Sequence, residues 1–99
     1  MNATERKLAK AHLKKIFDVY IHEQVYEPSA LKEDLGFKDE YLRESMLEHI
    51  RVPLFTASEF ASNFGHGDTD DARLRMFFVA LEGYVFGAGD EPDTDKFFS

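Results

Sequence analysis

Ninety-nine residues, 43% hydrophobic and 14% aromatic, supply apolar side chains for one core and none to spare for a second, which argues against both a disordered and a multidomain chain. The absence of cysteine excludes a disulfide framework and a thiolate zinc site. The N-terminus is charged and the longest apolar run is Met76 to Leu81, so neither a signal peptide nor a membrane span is expected and a cytoplasmic location is the default. The net charge of −7 is uneven: Arg6, Lys7, Lys10, Lys14 and Lys15 stand against Glu5 in the first stretch, and the rest of the chain holds the acidic excess. A body of that sign repels phosphate backbones and favours a basic partner.

The spacing of apolar residues predicts helices nearly throughout, because no window alternates strictly enough for a strand. From about Ala3 to Val25, Ala9, Leu13, Ile16, Phe17 and Tyr20 fall on one arc, opposite Lys7, Lys10, Lys14 and Asp18. Asn2 and Glu5 stand at capping-box spacing. Pro28 and Ser29 open a short helix through Leu35, with Gly36 expected as its left-handed cap. Asp39 is placed to cap the segment Glu40 to Arg51, whose inward face is Leu42, Met46, His49 and Ile50 with Tyr41 at the border; Val52, held out of the helical region by Pro53, ends it. Thr56 and Glu59 form a second capping box, Phe55 and Phe60 are placed as its hydrophobic staple, and Gly65 is the stop.

A last helix is expected from a cap at Asp68 or Thr69 to about Phe86, with Asp70 and Asp71 in the first turn, where negative charge suits the helix dipole. Its stripe of Leu74, Phe77, Phe78, Leu81, Tyr84 and Val85 is joined by Met76, Val79, Ala80 and Phe86, which makes it apolar on almost every side. Such a helix is either the centre of a domain or half of an oligomer interface. Gly83 lies inside it at a cost of about 1 kcal/mol relative to alanine, and a close backbone approach is expected there. The fold class is therefore all-α: a compact bundle of four to five helices with a central apolar C-terminal helix, residues 1–88, then a short acidic tail, residues 89–99, read as mobile.

No residue set carries a catalytic, cofactor or metal signature. His12, His22, His49 and His66 lack the spacing that puts two ligands on one helical face. Asp68 and Asp70 resemble the first positions of a calcium loop, but Arg73 and Val79 stand where the turn glycine and the bidentate glutamate belong. Gly83, Gly87 and Gly89 lack the Gly-Lys-Ser/Thr of a phosphate loop, and no nucleophile is flanked by glycine, so a non-enzyme is expected. Leu31, Leu35, Gly36, Phe37 and Leu42 match the apolar and glycine positions of a helix-turn-helix. Against that reading, Lys32 fills its crowded position, and Asp39, Glu40 and Glu44 outnumber Lys38 and Arg43 where phosphates would lie.

Two acidic features remain as candidate partner sites. Glu40, Glu44 and Glu48 recur every four residues, as a solvated face or as a docking strip. Asp90, Glu91, Asp93 and Asp95 precede Phe97 and Phe98, and the aromatic pair has three fates open: folding back, disorder, or insertion into a partner's pocket. The function expected is a small acidic protein-binding module, most concretely an inhibitor of the immunity-protein, antitoxin or phage type. It would occlude the basic active or nucleic-acid-binding site of a partner such as a nuclease, without itself touching nucleic acid or a membrane. The alternatives are a homodimeric structural or assembly protein joined through the last helix, and a helix-turn-helix regulator.

Overall fold

Reciprocal capping opens the first helix of the computed structural model, which describes residues 1–98. The Asn2 side chain accepts from the Glu5 amide at 2.8 Å and the Glu5 carboxylate accepts from the Asn2 amide at 2.9 Å, starting α1 (Ala3–Tyr20). Ala9, Leu13 and Phe17 are buried on it, with Ile16 and Tyr20 packed at the edges. The helix stops five residues before Val25, because His22 captures the Gln24 amide and the chain turns through a 3-10 turn, Glu23–Val25. The Glu27 amide then bonds back to the Tyr20 carbonyl at 2.7 Å.

Four further helices follow: α2 (Pro28–Leu35), α3 (Glu40–Arg51), α4 (Ala57–Phe64) and α5 (Asp71–Val85). The fold is all-α, with no strand among the described residues. α3 lies between α1 and α5, while α2 packs on α5 and α4 on α1. α3 and α5 run antiparallel, tied near one end by Arg43 to Glu82 at 3.2 Å and near the other by the Arg75 guanidinium donating to the Ile50 carbonyl at 2.8 Å. Between the helices sits an aromatic core of Phe17, Phe55, Phe60, Phe64, Phe77 and Phe78, all buried. α5 contributes Leu74, Phe77, Phe78, Leu81 and Val85 to it. The staple around α4 forms as expected, with Phe55 edge-on to Phe60 at 6.0 Å.

Three local expectations are corrected. Gly36 is right-handed, at φ −49 and ψ −47; it serves close packing instead, since a Cβ there would stand 2.9 Å from the Val85 carbonyl oxygen. The cap of α5 is Asp70, which accepts from the Arg73 amide at 2.7 Å, rather than Asp68 or Thr69. The start is fixed there because the next residue, Asp71, accepts from the Ala57 amide at 2.7 Å and so ties the beginning of α5 to that of α4. Third, the approach expected at Gly83 comes only to its carbonyl, which accepts from the Gly89 amide at 3.0 Å; the space above its Cα is empty, since a Cβ placed on it would meet no atom within 4 Å.

Gly65 does end α4 in the left-handed region, at φ 72. Replacing it with alanine is expected to cost about 1–2 kcal/mol, the penalty for a side chain in that conformation. The shift in urea midpoint at unchanged slope measures it.

Two polar side chains are buried on α3 without any sequence signal of their own. Ser45 returns its hydroxyl to the Tyr41 carbonyl at 2.8 Å. Glu48 is held by the guanidinium groups of Arg6 and Arg51, and Arg6 also donates to the Val52 and Pro53 carbonyls at 3.2 and 2.9 Å. Burying a carboxylate is costly unless it is paired and hydrogen-bonded, and here it is both.

Candidate functional site: an acid-rimmed groove beside the last helix

The chain leaves α5 through two glycines that each permit a close turn. A Cβ on Gly87 would lie 2.8 Å from the Gly83 carbonyl oxygen and one on Gly89 3.1 Å from the Gly83 carbonyl carbon. With the Gly89 amide bonded to that same carbonyl at 3.0 Å, the segment doubles back along α5. Pro92 is buried and its carbonyl accepts from the Tyr26 hydroxyl at 2.7 Å. Asp93 then caps a 3-10 turn, Thr94–Lys96, by accepting from the Asp95 amide at 3.0 Å.

The terminal aromatic pair folds back. Phe97 meets Phe77 edge-on at 5.6 Å, and Phe98, only 6% exposed, stacks on His66 at 4.5 Å and on Phe60 at 5.7 Å. His66 is fixed in turn by donating Nε2–H to the Ile21 carbonyl at 2.7 Å. The segment expected as a separate tail from residue 89 therefore packs on the domain as far as Phe98. Burying a phenylalanine side chain is worth about 1.5–3 kcal/mol, and Phe97 and Phe98 contribute this, with Pro92 and the Tyr26 hydrogen bond, against the cost of ordering the segment.

Between α5 and this segment runs a groove of about 390 Å³. Its floor is apolar, formed by Val79, Ala80, Gly83, Pro92 and Phe97, and its rim carries Asp90, Glu91, Asp93 and Lys96. Gly83 keeps the floor open, since the space a side chain would take there is empty. Asp90, Glu91, Asp93 and Asp95 are exposed, and none of the four forms an ion pair with a described residue. Burial, with Glu91 and Asp93 nearby, pushes the Tyr26 phenol well above its ordinary value.

The chain's cations, by contrast, are largely spent within the fold. Arg6 and Arg51 serve Glu48; Lys10 reaches Glu59 at 2.6 Å; Lys32 donates to the Gly87 carbonyl at 3.1 Å. The basic face expected on the first helix is thus reduced to Lys7, Lys14 and Lys15, with Lys14 beside Asp18 at 3.4 Å. The three-glutamate strip is also broken. Glu40 and Glu44 are exposed, but Glu48 is 6% exposed, and its carboxyl is held below the usual carboxylate range by the Arg51 and Arg6 guanidinium groups. It is a structural ion-pair acceptor rather than a docking residue.

The histidines of α1 and α3 are engaged in structural bonds. His12 faces Asp39 at 3.0 Å, and His49 Nδ1 accepts from the Leu54 amide at 2.9 Å. Among the described residues no three His, Asp or Glu side chains gather in a metal-holding arrangement. A larger, open hollow of about 630 Å³ lies beside the joined starts of α4 and α5, but Thr56, Asp70 and Asp71 in its wall already accept from backbone amides. On the α2–α3 corner, Phe37 is 85% exposed. α3 is packed on both sides, and its outward strip is Glu40, Arg43, Glu44, Leu47 and Arg51, with the two glutamates where DNA phosphates would lie. No described helix is long and apolar enough to cross a membrane.

No family model matches the sequence, and comparison with curated proteins and with solved structures likewise returns no match.

Proposed function

We propose that the chain is a non-catalytic protein-binding module that presents the carboxylates of its C-terminal segment to a basic partner. It acts by occlusion, its acids taking positions meant for phosphates on a nucleic-acid-handling protein such as a nuclease, in the manner of an immunity protein, antitoxin or phage-type inhibitor. One observation carries this reading. Asp90, Glu91, Asp93 and Asp95 are exposed and unpaired by the described residues, yet the segment bearing them is fastened at Tyr26–Pro92 and at Phe98. A fixed array of like charge loses less entropy on binding than a loose one, and it steers an oppositely charged surface into contact.

The test is kinetic. The partner is recovered from the native host by a nuclease-treated pull-down, and its association is followed for the wild type and for the D90N/E91Q/D93N/D95N chain. Rim charges act mainly on the on-rate and its salt dependence. The variant is expected to associate about tenfold more slowly at low salt, with a flattened salt response. An unchanged on-rate would transfer the contact to Glu40 and Glu44.

A further inference from the structure

Opposite its buried face, α5 carries a second apolar stripe. Ala72, Met76, Val79, Ala80 and Gly83 follow one another at helical spacing with no charge among them, and Met76 is 53% and Val79 40% exposed. Arg73, Phe77 and Ala80, spaced four and three residues apart, form one flank of that stripe. The C-terminal segment lies along the same flank, through the contact of Phe97 with Phe77. That flank is therefore basic toward the start of the helix, at Arg73, and acidic toward its end, at Asp90, Glu91 and Asp93.

We propose that this face binds a second copy of the chain, α5 against α5, antiparallel about a two-fold axis. The surface is its own complement. Met76 and Gly83 lie equally far from the midpoint between Val79 and Ala80, so antiparallel pairing sets Met76 of each copy over the hollow above Gly83 of the other. A flexible thioether suits an irregular hollow. The helix penalty of Gly83 is thereby accounted for, because its missing side chain admits the partner's. A two-fold axis perpendicular to both helices keeps a given flank of each on the same side of the pair, so Arg73 of each copy meets the rim carboxylates of the other. Arg73 is available for this, since its pair with Asp70 at 3.4 Å is solvent-exposed and weak. Parallel pairing would instead put the two flanks on opposite sides of the pair and leave each Arg73 without the other copy's carboxylates. The antiparallel arrangement also opposes the two helix dipoles favourably.

This inference rests on the groove described above and deepens the proposed function without requiring its partner. Arg73 against three rim carboxylates, even with Lys96 on the same rim and Asp95 beside it, leaves acid to spare on each segment, and the axis places both segments on one face of the dimer. A basic partner then meets a doubled array.

Sedimentation equilibrium on the full chain tests the pairing and reads nothing about the basic partner, so the two ideas fail separately. The wild type is expected at twice 11.4 kDa in the micromolar range, and Met76→Glu as a monomer with unchanged circular dichroism. Gly83→Gln fills the hollow while improving helix propensity, so a monomer there cannot be laid to unfolding. Arg73→Glu should weaken the dimer at least about tenfold, and adding Asp90→Lys and Glu91→Lys should restore it. A wild-type monomer at several hundred micromolar, or a dimer indifferent to Met76→Glu and Gly83→Gln, would overturn the proposal.

Discussion

Alanine in place of Phe60 is expected to remove about 3–5 kcal/mol of stability, the usual cost of deleting a fully buried aromatic ring. The ring is at 0% exposure and is the hub of the aromatic core. Its centroid lies 4.7 Å from that of Phe64, 5.7 Å from Phe98, 5.9 Å from Phe78 and 6.0 Å from both Phe55 and His66. These neighbours come from α4, α5, the α3–α4 and α4–α5 links and the C-terminal segment, so collapse around a cavity would have to move several elements at once. A domain of this size has about 5–15 kcal/mol in hand, and the variant sits near the edge of folding. Urea unfolding measures it; a loss under about 1 kcal/mol would mean that the rings are not packed as described.

Acid is expected to destabilise the protein well before its carboxylates titrate. His49 is 1% exposed, its ring stacked on Phe78 at 3.8 Å and its Nδ1 accepting from the Leu54 amide. Burial lowers its pKa from 6.5 to about 4, with a nearby Asp71 opposing and Arg6 reinforcing the shift. Between those values the unfolded chain binds a proton that the folded chain refuses. This contribution is therefore complete above pH 6.5 and is lost as pH falls toward 4, to the extent of about 3 kcal/mol. His66 adds in the same direction, its pKa lowered chiefly by burial. The carboxyls of Glu48, Glu59 and Asp70, held low by their partners, give way only further down, below their ordinary values of 4.5, 4.5 and 3.8. Thermal midpoints should be nearly level from about pH 7.5 to 6.5 and fall from there to pH 5. His49→Asn, which retains an acceptor near the Leu54 amide but does not titrate, should flatten much of that slope. A wild-type midpoint constant over this range would refute the assignment.

What the sequence made legible were features whose cause is local. Both capping boxes, the staple of Phe55 and Phe60, the stop at Gly65 and the break at Pro53 depend on residues within five positions of one another, and the structure has them all. The inward faces of the helices were readable because burial follows the helical period. Gly36 and Gly83 were legible only in part, because a glycine signals freedom or space without saying which. The answer lay in Val85 for the first and in the way residues 89–97 double back for the second. Glu48 looked like one step of an acidic strip because its neighbour in the fold, Arg6, is 42 positions away. The groove was half visible, as the acids and phenylalanines of the last segment. Its other half, the floor on α5, needed the chain to double back at Gly87 and Gly89.

The bonds of Arg6 have a consequence for how the molecule opens. The first turns of a helix ordinarily unravel ahead of its middle, with amides that exchange quickly. Here one guanidinium clasps the first turns of α1 to the carboxylate of Glu48 and to the carbonyls of Val52 and Pro53. Lysine, with a single point charge, has no fork to span those three acceptors. The leading turns of α1 consequently belong to the same cooperative unit as the corner between α3 and α4, and they are released when that corner breaks rather than by fraying.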